Sequence, residues 1–291
     1  DGEVLETQLS YWQKQLKKLS VLQLPIDYPR PKVQTFKGKR QQLFICESLT
    51  AALKRLSQQQ GVTLFMTLLA AFDVLLHWYT NEKDIVVGTD IANRNQAQTY
   101  PLIGFFVNQL VLRTNLSDNP TFIELLARVR QVTIEAYTNQ YVPFDKLVEV
   151  LNPDRSLNRT PLFQVKLVLQ NTPMPPAILS GLNVRFTEVD NHTAKYDLLL
   201  NLTKTEQGLT GWLEYSTDLF AEASIKRLLS NFTNLLQTVT DQPQIKLNDL
   251  KEIITQGDKQ QQIAQEQELK QARLRKFQNL KRKVIKEEFV L

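Results

Sequence analysis

Apolar positions fall at helical spacing over residues 8–20, where Leu9, Trp12, Leu16 and Leu19 would line one side of a helix. Pro25, Pro29 and Pro31 then exclude helix and predict an extended crossing. Residues 41–46 have strand character. Ser48 is placed to cap the helix that follows, and Gly61 to end it. Thr63 can cap a second helix over residues 64–79, apolar nearly all round and therefore predicted to be buried. Residues 84–92 read as a buried strand, and a polar loop leads from them to a second apolar run over residues 103–112. Asn119 and Pro120 mark a helix start, as cap and first helical residue, with the helix reaching about residue 138. A short helix is predicted over residues 143–151. Strand patterns then dominate, at 162–170, 183–189, 196–203 and 209–217, with Pro173, Pro175 and Pro176 breaking the chain after the first. An amphipathic helix over 221–240 follows, and no repeat of fixed period occurs. The pattern predicts an α/β layered domain with a largely buried sheet.

Composition sharpens the boundary. Hydrophobic residues make up 42% of the 291 and charged residues 22%, enough for a sizeable core. After residue 250 Gln, Lys and Glu take over, and Gly and Pro vanish beyond Gly257. Residues 1–250 therefore read as the folded body, and 251–291 as a basic linker or solvated helix. The formal net charge of +5 resides mainly in that tail, which holds ten Lys and Arg against six Asp and Glu. This charge distribution argues against a nucleic-acid-binding face on the body. The longest apolar run, residues 64–79, is interrupted by Asp73 and His77 and is too short for a membrane span. The first residues are polar and acidic, unlike a secretory signal, and Cys46 is the single cysteine, so the expected location is a reducing cytoplasm.

Candidate chemistry is sparse. His77 and His192 are the two histidines, the first on the apolar helix and the second in a polar loop. His77 reads as a core or boundary residue. Asp190 is too near His192 in sequence to imply a catalytic pair. Cys46 follows Phe44 and Ile45 in a strand pattern and reads as a small buried hydrophobe. Two histidines and one cysteine make no metal site. No nucleophile elbow, P-loop or dinucleotide fingerprint occurs.

Longer motifs carry more information. Residues 103–113 read IGFFVNQLVLR, 139–147 NQYVPFDKL and 158–165 NRTPLFQV. In that order they resemble the fifth, sixth and seventh core motifs of the condensation domains of nonribosomal peptide synthetases, with Asn139 where the sixth usually opens on His. YWQKQL at Tyr11, LPIDYPRP at Leu24, GVTLFMTLLAAF at Gly61, DIVVGTDIANRN at Asp84, AKYDLLLNL at Ala194 and LEYSTDLF at Leu213 are similar to the family as well. The resemblance covers residues 8 to about 250. It implies one lobe, the C-terminal one, of a chloramphenicol acetyltransferase-like fold: a mixed sheet covered by helices. It also implies amide-bond formation between aminoacyl or peptidyl thioesters held on carrier proteins. The family's catalytic His-His-x-x-x-Asp-Gly belongs to the other, N-terminal lobe, and this sequence has no adjacent histidines.

By resemblance, residues 93–103 form a floor loop, and a crossover to the other lobe falls within 171–195. Arg94 matches an arginine expected to pair with the Asp of the absent motif; a solvated loop arginine is the competing reading. Asn108 matches an asparagine near the substrate tunnel; a buried asparagine bonding the backbone competes equally. Arg113 reads as structural, at a strand end. No catalytic residue, metal or directly bound cofactor is assigned, the substrates being expected on phosphopantetheine arms. Expected partners are the N-terminal lobe, aminoacyl or peptidyl carrier proteins and a neighbouring synthetase module, with no nucleic acid or membrane. Whether the chain is part of an enzyme or a non-catalytic remnant that docks carrier proteins stays open at this stage. Either way, a lone lobe should expose an apolar face.

Overall fold

The computed structural model describes residues 2–94, 97–153, 156–170 and 189–256. Residues 1–247 form one compact unit and 248–291 a second. Six strands make one sheet: β1 (Gly38–Cys46), β2 (Asp84–Ile91), β3 (Asn108–Asn115), β4 (Val165–Gln170), β5 (Leu198–Thr205) and β6 (Gly208–Ser216). Their order is β1-β6-β5-β4-β2-β3. The β2–β4 and β4–β5 pairs are parallel and the others antiparallel, so the sheet is mixed. Among the described residues the helices include α1 (Gly2–Gln15), α2 (Glu47–Gln59), α3 (Leu64–Thr80), α4 (Phe122–Thr138), α5 (Phe144–Leu151) and α6 (Glu222–Asp241), and residues 247–256 are also helical.

Side chains alternate across a strand, so the register sorts them into two faces. One face carries Leu43 and Ile45 of β1, Leu213 and Tyr215 of β6, Leu198, Leu200 and Leu202 of β5, Val165 and Leu167 of β4, Ile85 and Val87 of β2, and Leu110 and Leu112 of β3. All are buried, and α2, α3 and α6 supply the helical layer over them. In α3 every residue from Met66 to Leu76 is buried, and Phe72 meets Phe232 of α6 edge-on at 6.0 Å between ring centroids. The opposite face carries Arg40, Gln42, Trp212, Glu214, Asn201, Lys166, Asp90, Gln109 and Arg113, interspersed with Leu199 and the buried Val86, Val111 and Val168. Gly88 belongs to this face, and a Cβ there would come within 2.1 Å of the Phe163 ring, so the ring is seated on the strand only because glycine leaves room.

Local chemistry sets the helix ends, not always where the sequence pattern places them. Thr63 caps α3, accepting from the Met66 N–H at 3.2 Å, as expected. Gly61, with φ of +62°, follows the end of α2. Ser48 lies inside α2, and the cap position belongs to Cys46. Thr121, not Asn119, caps α4: its hydroxyl accepts from the Glu124 N–H at 3.2 Å while Glu124 accepts from the Thr121 N–H at 2.7 Å. That reciprocal pair satisfies two helix-end donors at once, and Pro120 stands one residue outside the cap. The first helix runs from Gly2 to Gln15, earlier at both ends than the apolar spacing predicts.

The apolar run over residues 103–112 divides. Its second half is buried strand, whereas Ile103 and Phe105 are almost wholly exposed. The strand pattern over residues 183–189 and most of the expected crossover lie outside the described residues, as do 257–291. Among the described residues no single helix is long and apolar enough to cross a membrane. The neighbouring helices α2 and α3 are bent by 103° at the break between them.

Candidate functional site

Two of the sequence-selected residues flank the exposed stretch. Arg94 follows β2, and its guanidinium folds over the loop it opens. It donates to the carbonyl oxygens of Thr99 and Gly104, the latter at 3.4 Å, and lies 4.2 Å above the centroid of the Phe106 ring. It therefore ties the two ends of the loop together. Around it Tyr100, Leu102, Ile103, Phe105 and Val107 are all exposed.

Asn108 opens β3 and is 8% exposed. Its amide donates to the carbonyl oxygens of Gln140, at 3.0 Å, and Val142, at 2.8 Å. Its oxygen accepts from the Phe144 N–H at 3.0 Å. Three backbone bonds from one buried side chain fasten the 140–144 segment to the sheet edge and fix the entry of α5. Arg113 pairs with Asp84 on β2 through contacts of 2.7 to 3.1 Å and also donates to the carbonyl oxygens of Gln15 and Lys17. It holds the C-terminal end of α1 against the sheet, and its strand continues to Asn115. Trp12 completes the attachment, its indole N–H donating to the Asn139 carbonyl oxygen at 2.8 Å.

Pattern reading did not find the polar residues of the sheet. Lys166, 5% exposed, places its amine 2.6 Å from an Asp90 oxygen. Gln109 donates to Asp90 at 3.3 Å and to the Tyr196 hydroxyl at 2.8 Å. Farther along, the Arg40 guanidinium stacks 3.9 Å over Trp212 and reaches Glu214 at 3.2 Å. Burial pushes the Glu214 carboxyl up, and Arg40 works against that shift. Arg30 and Asp197 form a further bidentate pair, which pins the 24–32 crossing beside β5. The sequence signal for Asp90, Lys166 and Glu214 was a charged residue inside a strand pattern, hard to tell from a solvated face, and Arg30 and Asp197 lie outside the strands.

The histidines are apart from these residues. His77 is half-buried, with Nδ1 2.6 Å from the Glu82 carbonyl oxygen just beyond α3. His192 is exposed in a loop, 3.5 Å from an Asp190 oxygen. Cys46 overturns its sequence reading: it is exposed, because Leu43 and Ile45 take the inward positions of β1 and leave Phe44 and Cys46 outside. The Ser48 hydroxyl, and then the Leu49 backbone N–H, hold its thiol below the usual range. Among the described residues no three His, Cys, Asp or Glu side chains gather as a metal site.

Comparison with known proteins decides the family. The sequence pattern of the condensation domain matches residues 2–263. The chain belongs to the condensation-domain family. It is 36% identical over 260 residues to gramicidin S synthase 2 of Brevibacillus brevis, covering 89% of this chain and 6% of that protein. Malpinin synthetase of Mortierella alpina is 44% identical over 240 residues, covering 82% of this chain and 3% of that protein. Among solved structures, the X-domain from teicoplanin biosynthesis matches with a TM-score of 0.79 and 28% identity, over 84% of this chain and 56% of that one. A four-domain nonribosomal peptide synthetase bound to AMP and glycine matches with a TM-score of 0.77 and 26% identity, over 82% of this chain and 20% of that one. The condensation domain here thus has the family's α/β fold, a six-stranded mixed sheet covered by helices, and spans a small part of the curated synthetases it resembles.

Proposed function

We propose that this chain supplies the C-terminal lobe of a condensation domain and, with a histidine-bearing lobe, encloses a tunnel for amide-bond formation. The exposed apolar strip from Tyr100 to Val107, clamped by Arg94, carries the reading. Apolar side chains displayed together mark a surface that another body covers. In this reading Arg94 meets the Asp of the partner lobe's motif, and Asn108 shapes the tunnel by holding the 140–144 segment. The acceptor and donor arrive on phosphopantetheine arms of carrier proteins belonging to neighbouring modules. The acceptor amine nitrogen attacks the donor thioester carbonyl, the C–N bond forms, the C–S bond breaks, and the amine's proton passes by way of the partner histidine to the departing thiolate. This chain contributes position, not the base.

The test pairs the 291-residue chain with a separately supplied N-terminal lobe from a gramicidin S synthase condensation domain and two loaded carrier proteins. Amide product is expected from the pair and none above buffer from this chain alone, since general-base assistance is worth about 100- to 10,000-fold. Arg94→Ala should lower the yield of the pair. Product from this chain alone, or no association between the lobes, would overturn the proposal.

A further inference from the structure

A second surface is set apart from the strip at 100–107. Beyond its helical end, α1 continues through Lys17 and Lys18 into the extended crossing, and α5 runs beside it. Between them lies a groove of about 1120 Å³, lined also by residues 156–162. Its lining is mixed, with Leu16, Leu19, Val148, Leu151 and Leu162 beside polar Gln13, Ser156, Asn158 and Thr160. Three cations line it, Lys17, Lys18 and Arg159, and no acidic residue does so among the described residues. None of the three cations makes an ion pair with a described carboxylate.

Two features show that the groove is an unfilled surface. Helix α5 has five apolar residues in eight, yet Leu147 alone is fully buried. Its Val148, Val150 and Leu151 remain partly open along the groove. Leu157, in the 156–162 segment, is 77% exposed although its carbonyl is fixed by the Gln34 N–H at 2.9 Å. An anchored backbone that points a leucine outward displays it instead of merely failing to bury it.

We infer that this groove is a docking site for an acidic amphipathic helix of a partner polypeptide. Size argues for a polypeptide, because small-molecule sites run to roughly 300–1,000 Å³ and are more enclosed. A helix about 10 Å across would fill this volume with about nine residues, or two to three turns. The apolar residues of the lining take spaced apolar anchors of such a helix. Three cations unopposed by any lining carboxylate among the described residues select acidic residues on its flanks and disfavour basic ones.

The test measures fluorescence anisotropy of labelled amphipathic peptides, about five helical turns long, on the 291-residue chain. One peptide places leucines at helical spacing among glutamates; the other replaces every glutamate by lysine. The acidic peptide should bind at least tenfold more tightly than the basic one and weaken as salt rises. Reversing the rim with Lys17→Glu, Lys18→Glu and Arg159→Glu should cost at least tenfold. Leu157→Asp, a change at an exposed position that leaves the fold intact, should cost severalfold. Hydrogen exchange should slow at residues 16–21, 148–153 and 156–162. Equal or tighter binding of the basic peptide, binding unchanged by rim reversal, or binding lost through Phe105→Ser at the other strip instead, would overturn the assignment.

Discussion

Asp73 occupies the middle of α3, 1% exposed, with neither carboxylate oxygen in a hydrogen bond among the described residues. The Thr114 hydroxyl of β3, also buried, likewise finds no partner of ordinary geometry. Burial pushes the Asp73 carboxyl well above the usual range, and Thr114 opposes that shift without cancelling it. The folded protein therefore holds a proton there that the unfolded chain releases near its ordinary pKa of about 4. Stability from this group is complete below that pH and is lost as pH rises through the folded pKa. Asp73→Asn removes the titration. Its stability relative to the parent should improve from about pH 5 to about pH 8 in urea unfolding. A difference that is the same at both pH values would mean that Asp73 is ionised and solvated in the folded protein. The sequence showed Asp73 as an interruption in an apolar run, which was legible; its lack of a partner was not, since that depends on what β3 places opposite. Cys46 teaches the converse. Alternation in FIC was present in the sequence, but hydrophobic character hid which parity faced the helices.

At the scale of elements, caps and anchors decide the ends. Thr121→Ala should cost about 1 kcal/mol, the usual worth of an N-cap, read as a lowered urea midpoint with unchanged slope. Asn119→Ala should cost less, and the reverse order would restore the boundary that the Asn-Pro pair suggests. Proline at a first helical position is a statistical preference, whereas the reciprocal Thr121–Glu124 bonds are local chemistry that outweighs it here. The first helix was misplaced for a different reason. Leu16 is buried beyond the helix end, where Arg113 takes the carbonyls of Gln15 and Lys17 from across the sheet. A contact between residues so far apart in the chain leaves no trace in a helical window. Strands 41–46, 84–92 and 209–217 were legible because each buries an alternating or continuous apolar set in one sheet. The candidate site was legible only through family motifs, since Arg94 and Asn108 spend their donors mostly on backbone carbonyls that no spacing rule identifies.

For the molecule as a whole, the exposed strip at residues 100–107 should make the free chain sticky. Self-association on sedimentation and binding of a hydrophobic dye are expected, and Ile103→Ser with Phe105→Ser should reduce both without lowering the melting temperature, because neither side chain is buried. A dye-silent monomer at high concentration would show that the strip is covered within the chain itself. The tail makes an independent prediction. Residues 248–291 form a unit of their own, and residues beyond Gly257 are rich in Gln, Lys and Glu with a thin apolar stripe. A segment of that composition offers little apolar surface to a core. Ordered secondary structure, by contrast, reaches residue 256 among the described residues, short of the cut. Truncation after Asp258 should therefore leave the melting temperature nearly unchanged. For a body of this size about 1 kcal/mol corresponds to roughly 2–4 °C, so a drop of more than about 5 °C would mean that the tail shares the stability of the core and that the boundary lies farther along the chain.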